Sequence, residues 1–148
     1  MERENSLSIV FIDYSRKRGT TEMKKEISTP LAPAAIGPYS QGIETDSIIF
    51  TSGQLPINMQ TGELETDPKK ATQASLNHIK SILKQAGYDM TNIVKVTIFV
   101  ADMNHFASIN ETYAEFFGGV APARSCVEVA KLPKDAILEI EAIAVKNK

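Results

Sequence analysis

A chain of 148 residues with 43% hydrophobic residues holds one hydrophobic core and falls short of two comfortable domains. A net charge of −2 with scattered Lys and Arg offers no basic stripe for phosphate contacts, and no apolar run nears the roughly 20 residues that span a bilayer, so neither nucleic acid nor a membrane is the expected partner. The single cysteine, Cys126, allows no internal disulfide, and His78 and His105 lack metal-ligand spacing; secretion and structural zinc lose support and a cytoplasmic location is expected.

Composition changes abruptly at Met23. The short apolar run Ser8 to Ile12 is interrupted by Asp13, and no small-residue cleavage site follows, which speaks against a signal peptide. Lys17-Arg18-Gly19 is encodable by a purine run resembling a bacterial ribosome-binding site a few codons before Met23. Residues 1–22 are therefore expected to be an extension, either upstream of a natural start at Met23 or a disordered tail, and residues 23–148 a single domain.

From Met23 the pattern predicts a short strand at Lys24 to Ile27, then an irregular segment marked by Pro30, Pro33, Gly37 and Pro38. Strands follow at Gln41 to Glu44 and Ile48 to Gln54 around a tight connection at Thr45-Asp46, with a loop from Asn58 to Thr66. Asp67-Pro68 starts a helix: Asp caps free amides, and Pro lacks the amide that the first turn leaves unsatisfied. Leu76, Ile79, Leu83 and Ala86 recur at helical spacing, and Gly87 ends the helix. Ile93 to Val100 alternates as a strand with two partly covered faces. A second helix starts near Asp102 or Asn104, carries Phe106, Ile109, Tyr113 and Phe116 as its apolar stripe, and stops at Gly118-Gly119. Ala123 to Val129 and Ile137 to Val145 are the last strands, joined through Leu132-Pro133-Lys134-Asp135. The order implies an α+β fold, a mixed sheet with two helices on one face. The other sheet face then needs a cover, and self-association supplies it most simply.

Several residues in this frame carry chemistry. Strand parity puts Arg124, Cys126 and Glu128 on one face and Ser125, Val127 and Val129 on the other. A guanidinium beside a covered face needs an anion, and its planar fork fits a carboxylate bidentately. On the residues alone, pairing with a nearby acid such as Glu128 is the plainer reading. Glu139 and Glu141 share a face of the last strand, where a carboxylate is either solvated at an edge or held where burial lifts its pKa and makes proton exchange useful. Cys126 has no sequence-adjacent His, so a small buried thiol is favoured over a nucleophile. Gly37-Pro38-Tyr39-Ser40-Gln41 presents a rigid aromatic, Ser52-Gly53 lets a ligand approach backbone, and Asn110 and Tyr113 stand on the second helix, where ordinary surface and core positions are the plainer reading. No phosphate loop, dinucleotide fingerprint or metal motif is present, so side chains and water must do any chemistry.

Taken together, APAAIGPYSQG (Ala32 to Gly42), TSGQLP (Thr51 to Pro56), INETYAEFF (Ile109 to Phe117), PARSCVEVAKLPKDA (Pro122 to Ala136) and LEIEAIAV (Leu138 to Val145) closely resemble the reactive intermediate deaminase A (YjgF-type) family. The resemblance covers about Met23 to Val145. It implies a chorismate-mutase-like fold assembled as a homotrimer, with three sheets around a central barrel and a site in each intersubunit cleft. It further implies hydrolysis of 2-iminobutanoate and 2-iminopropanoate to 2-keto acids and ammonia, without cofactor or metal, downstream of pyridoxal-phosphate dehydratases. On that resemblance Arg124 binds the substrate carboxylate and Glu139 positions water and exchanges a proton. Tyr39, Ser52, Gly53, Asn110, Ser125 and Cys126 line the cleft, Cys126 mainly through its backbone. The short Gly118-Gly119-Val120-Ala121 connection departs from the family pattern at the cleft rim. The alternative is a small-molecule-binding or chaperone-like trimer without turnover; an RNA-cleaving role fits the acidic balance poorly.

Overall fold

The computed structural model describes residues 23–146; the expectation for residues 1–22 lies outside the described residues. Six strands form one sheet: β1 (Lys25–Ile27), β2 (Gly42–Thr45), β3 (Ile48–Thr51), β4 (Ile93–Val100), β5 (Ala123–Glu128) and β6 (Leu138–Val145), in the order β1-β2-β3-β6-β4-β5. Only β4 and β5 run parallel; the other neighbours are antiparallel. The last strand of the chain thus inserts between β3 and β4, which puts β6 at the sheet centre and leaves β5 at an edge. Helix α1 (Pro68–Gln85) links β3 to β4, and α2 (Phe106–Phe116) links β4 to β5.

Local chemistry sets the helix ends. Asp67 accepts the Lys70 amide at 3.0 Å, and Pro68 occupies the first turn. At the other end Gly87 takes a φ of 78°, while Tyr88 N donates to Leu83 O and Gly87 N to Lys84 O. This paired pattern satisfies carbonyls that the helix leaves open. The second helix begins later than its capping residue suggests. Asp102 accepts the Asn104 amide and caps a 3-10 turn, Met103–His105, which runs on into α2.

Leu76, Ile79, Ile82 and Leu83 of α1 are fully buried against Val96, Ile98, Val100, Leu138 and Ile140 of the central strands. Alternation follows the two-residue period of a strand. The residues between them, Thr97, Phe99, Glu139, Glu141 and Ile143, turn to the face away from the helices and are only partly covered. On that open face Phe50 and Val127 remain 46% and 45% exposed. These apolar side chains share the face with Thr97, Glu139 and Glu141.

Boundaries differ from the sequence expectation where side chains compete for the backbone. Gln41 stands just before β2, because its amide is taken up by the preceding loop: Oε1 accepts from Thr29 N at 2.7 Å and Nε2 donates to Pro33 O at 2.8 Å. The β2-β3 turn is Asp46-Ser47, with Asp46 at a φ of 55°. Continuous pairing of β3 stops at Thr51, and Gln54 rejoins the sheet by a bridge to Ile140.

Candidate active site

Arg124 lies on edge strand β5 opposite Val96 of β4, so it shares the helix-bearing face of the sheet. Its guanidinium carbon sits 4.7 Å from the Tyr113 ring centroid and 5.5 Å from that of Phe106, both on α2. Asn110, four residues after Phe106 and three before Tyr113, lies on the same helix face and is exposed. Among the described residues no carboxylate pairs with Arg124. Stacking on the two rings contributes about 0.5–2 kcal/mol and leaves the guanidinium without a carboxylate partner among the described residues. Glu128, the acid that the residues alone suggested as its partner, is engaged elsewhere: its Oε2 accepts the Met103 amide at 2.8 Å at the start of the α2 turn.

Cys126, two residues on, shares this face. Burial pushes its thiol up, partly offset by the Arg124 charge, which keeps it protonated and a poor nucleophile. Tyr113 behaves alike, its hydroxyl raised by burial and eased by Arg124. Ser125 points to the open face, where Lys95 Nζ donates to its Oγ at 2.9 Å. Its side chain is therefore apart from the other two.

Glu139 forms the second group. It sits on β6 opposite Phe99, on the open face, and leans against Gly53. A Cβ at residue 53 would stand 1.9 Å from Glu139 Oε1, so only glycine admits the carboxylate there. Burial first, and then the neighbouring Glu141, raise the Glu139 pKa above the ordinary glutamate value. Ser52 braces the same corner: its Oγ donates to Ser40 O at 2.6 Å and its amide to Gln41 O at 2.9 Å. These bonds hold the loop bearing Tyr39, which is 51% exposed. A cavity of about 310 Å³ adjoins this corner, lined by Tyr39, Gly53, Leu55, Ile57 and Lys134 among others.

The candidate residues therefore fall into two groups. Arg124, Asn110 and Cys126 gather at the edge of the helix face; Tyr39, Ser52, Gly53 and Glu139 gather on or beside the open face. The Arg124 guanidinium and the Glu139 carboxylate stand on opposite sides of the sheet.

The profile of the family described as Endoribonuclease L-PSP matches residues 29–146. The chain belongs to this family. Among its relatives is the 2-iminobutanoate/2-iminopropanoate deaminase of Escherichia coli K12, 52% identical over 128 residues, covering 84% of this chain and all of the relative. Two solved structures from E. coli share the fold. The YjgF gene product superposes with a TM-score of 0.80 at 51% identity, covering 83% of this chain and 99% of that one. TdcF with bound serine gives a TM-score of 0.80 at 50% identity, with the same coverage. The family that the quoted motifs resemble is the family found.

Sequence reasoning did not single out Gln41, His78 and Lys134, two of which line the cavity beside Gly53 while His78 bonds a residue of its wall. Gln41 shapes the Tyr39 loop from within, and its burial is visible only once the loop closes on it. His78 occupies the buried side of α1 and bonds the Ile57 carbonyl, 21 residues away. Lys134 reaches the cavity from an irregular turn in which it and Asp135 both take positive φ, 55° and 54°. Non-glycine residues held so are strained, and such strain clusters at functional sites.

Proposed function

We propose that the chain hydrolyses reactive enamines and imines, 2-iminobutanoate and 2-iminopropanoate foremost, to the 2-keto acid and ammonia, in clefts shared between copies of a homotrimer. The observation that carries this is the pair of half-sites: an unpaired guanidinium on an edge strand and a carboxylate of raised pKa against a glycine on the opposite face. Two copies packed with the edge of one against the open face of the next bring these halves together. Closing three such contacts in a ring also covers Phe50 and Val127. The name borne by the 52% identical E. coli relative supports the same chemistry.

The geometry suits the reaction step by step. Arg124 grips the 2-carboxylate with two parallel hydrogen bonds and fixes the imine carbon. Glu139 takes a proton from a water as the water oxygen bonds to the carbon of the N-protonated imine, giving a neutral carbinolamine. Return of that proton from Glu139 to nitrogen lets the C–N bond break; ammonia leaves as the hydroxyl becomes the keto oxygen and gives its proton to the freed Glu139 carboxylate, which passes it to solvent. Cys126 contributes backbone beside the nitrogen, and Tyr39 and Asn110 close the cleft from its two sides. Side chains and water suffice for every step. Such imines arise in the cytoplasm from pyridoxal-phosphate dehydratases, and their removal protects enzymes that the free enamine would attack.

The matched family's description also names an endoribonuclease. A chain with a net charge of −2 gains little from phosphate contacts, and imine hydrolysis is the reading that uses Arg124 and Glu139 together. A coupled assay with threonine dehydratase tests it, following imine loss and 2-oxobutanoate release. Acceleration over the uncatalysed reaction is expected; binding of 2-keto acids with no acceleration would instead identify a non-catalytic small-molecule-binding or chaperone-like trimer.

A further inference from the structure

From Met23 to Lys148 the sequence holds one arginine, Arg124; apart from the two histidines, every other basic side chain there is a lysine. Among the described residues no ion pair or hydrogen bond holds its guanidinium. What constrains it is aromatic: the Tyr113 ring at 4.7 Å and the Phe106 ring at 5.5 Å, seven residues and so about two turns apart on α2. A guanidinium stacked on an aromatic face keeps its in-plane N–H donors free, which a lysine ammonium cannot match.

Tyr113 is the nearer ring, and it is itself fixed. It is 6% exposed, and its ring centroid lies 4.6 Å from that of Phe117, the planes tilted by 39°. Phe117 is the first residue after α2 and precedes Gly118-Gly119. Cation, ring and second ring thus form one row, from edge strand β5 to the end of α2. The Tyr113 hydroxyl is buried and meets no hydrogen-bond partner among the described residues. Burial raises its pKa and the Arg124 charge only eases that rise, so Tyr113 meets the cation as a neutral ring and not as a phenolate.

We infer that Tyr113, backed by Phe117, is the positioning residue of Arg124: its ring sets the guanidinium before substrate arrives and leaves the N–H fork open to the carboxylate of a 2-imino acid. This rests on the deamination reading. A free arginine loses rotamer freedom when it grips an anion, whereas a stacked one has already lost it. The carboxylate is gripped in ground state and transition state alike, so the benefit falls on KM more than on kcat.

The test compares Tyr113→Leu, which keeps apolar bulk without a ring, with Tyr113→Phe, which keeps the ring. Tyr113→Leu should raise both KM for 2-iminobutanoate and the dissociation constant of 2-oxobutanoate by about fivefold or more, with kcat within about twofold of native. Tyr113→Phe should recover both constants. Nuclear magnetic resonance reads the stack without turnover: the Arg124 Nε–Hε signal is identified by its loss in Arg124→Lys, and its ring-current displacement should collapse in Tyr113→Leu and persist in Tyr113→Phe. Thermal melting establishes that the variants are folded; if Tyr113→Leu is not, Phe117→Leu carries the comparison, with smaller changes in the same directions expected. Native KM or an unmoved signal in the folded leucine variant overturns the inference. So does a Tyr113→Phe as impaired as Tyr113→Leu, which assigns the effect to the hydroxyl. Failure of the native protein to accelerate imine loss overturns the deamination reading alone, and the resonance comparison still decides whether Tyr113 holds Arg124.

Discussion

Arg124 and Glu139 project from opposite faces of one sheet: Arg124 stands opposite Val96, Glu139 opposite Phe99, and an odd separation along β4 reverses the face. Neither residue has its chemical counterpart within its own half-site. The division of labour between them can be separated by substitution.

Arg124→Lys keeps the charge but loses both the planar fork and the stacking on Tyr113 and Phe106. Turnover efficiency should fall by about a hundredfold or more, the scale of a lost anchored orientation. Steady-state kinetics with 2-iminobutanoate checks this; a lysine variant within a few-fold of the native rate argues for simple charge attraction.

Glu139→Gln preserves shape and hydrogen bonding but exchanges no proton, so keto-acid binding should persist while hydrolysis drops by roughly a hundredfold. Cys126→Ser should be milder, because a backbone contact survives the change and the thiol is held protonated. Calorimetric binding alongside the coupled assay distinguishes them. An active Glu139→Gln with a dead Cys126→Ser points to a thiol nucleophile instead.

The raised pKa of Glu139 fixes the sign of the pH dependence. In the proposed mechanism its ionised form takes the proton from water, so kcat/KM should decline as pH falls through that raised pKa, higher than an ordinary glutamate at about 4.3. Burial is the larger cause and Glu141 the smaller; Glu141→Gln should therefore move the acid limb to lower pH without abolishing it. A limb that does not move assigns the titration to another group.

Gly53→Ala places a methyl carbon 1.9 Å from Glu139 Oε1 and 2.6 Å from its Cδ. The obstructed atoms are the far end of a flexible side chain, so the fold should survive with a near-native Tm while the carboxylate swings out of line. A loss of about tenfold to a hundredfold in kcat is expected. Native kcat with a lowered Tm reverses that assignment.

Much of the frame was legible because it depends on local chemistry. Asp67-Pro68 and Gly87 bound α1 as their capping geometry demands, and the alternation from Ile93 to Val100 is β4 itself. Parity along β5 grouped Arg124 with Cys126 correctly. Which face of β5 matches which face of β6 depends on the registers Val96↔Arg124 and Phe99↔Glu139, and a single strand's pattern carries no such information. The same holds for Glu128, whose cap on Met103 spans 25 residues, and for His78, whose helical spacing shows burial but not its bond to Ile57.

The central claim is that each site is completed by two copies of the chain, and mixing two inactive variants tests it most directly. Arg124→Lys and Glu139→Gln are denatured together in equal amounts and refolded, with light scattering confirming assemblies of about 49 kDa, three copies of the 16.2 kDa chain. In a ring where each site takes Arg124 from one copy and Glu139 from the next, random mixing leaves about one site in four with both native residues. Activity should therefore return to about a quarter of the native value, from near zero in either variant alone. Mixed trimers that stay as inactive as their parents would contradict the shared site and return both residues to a single chain.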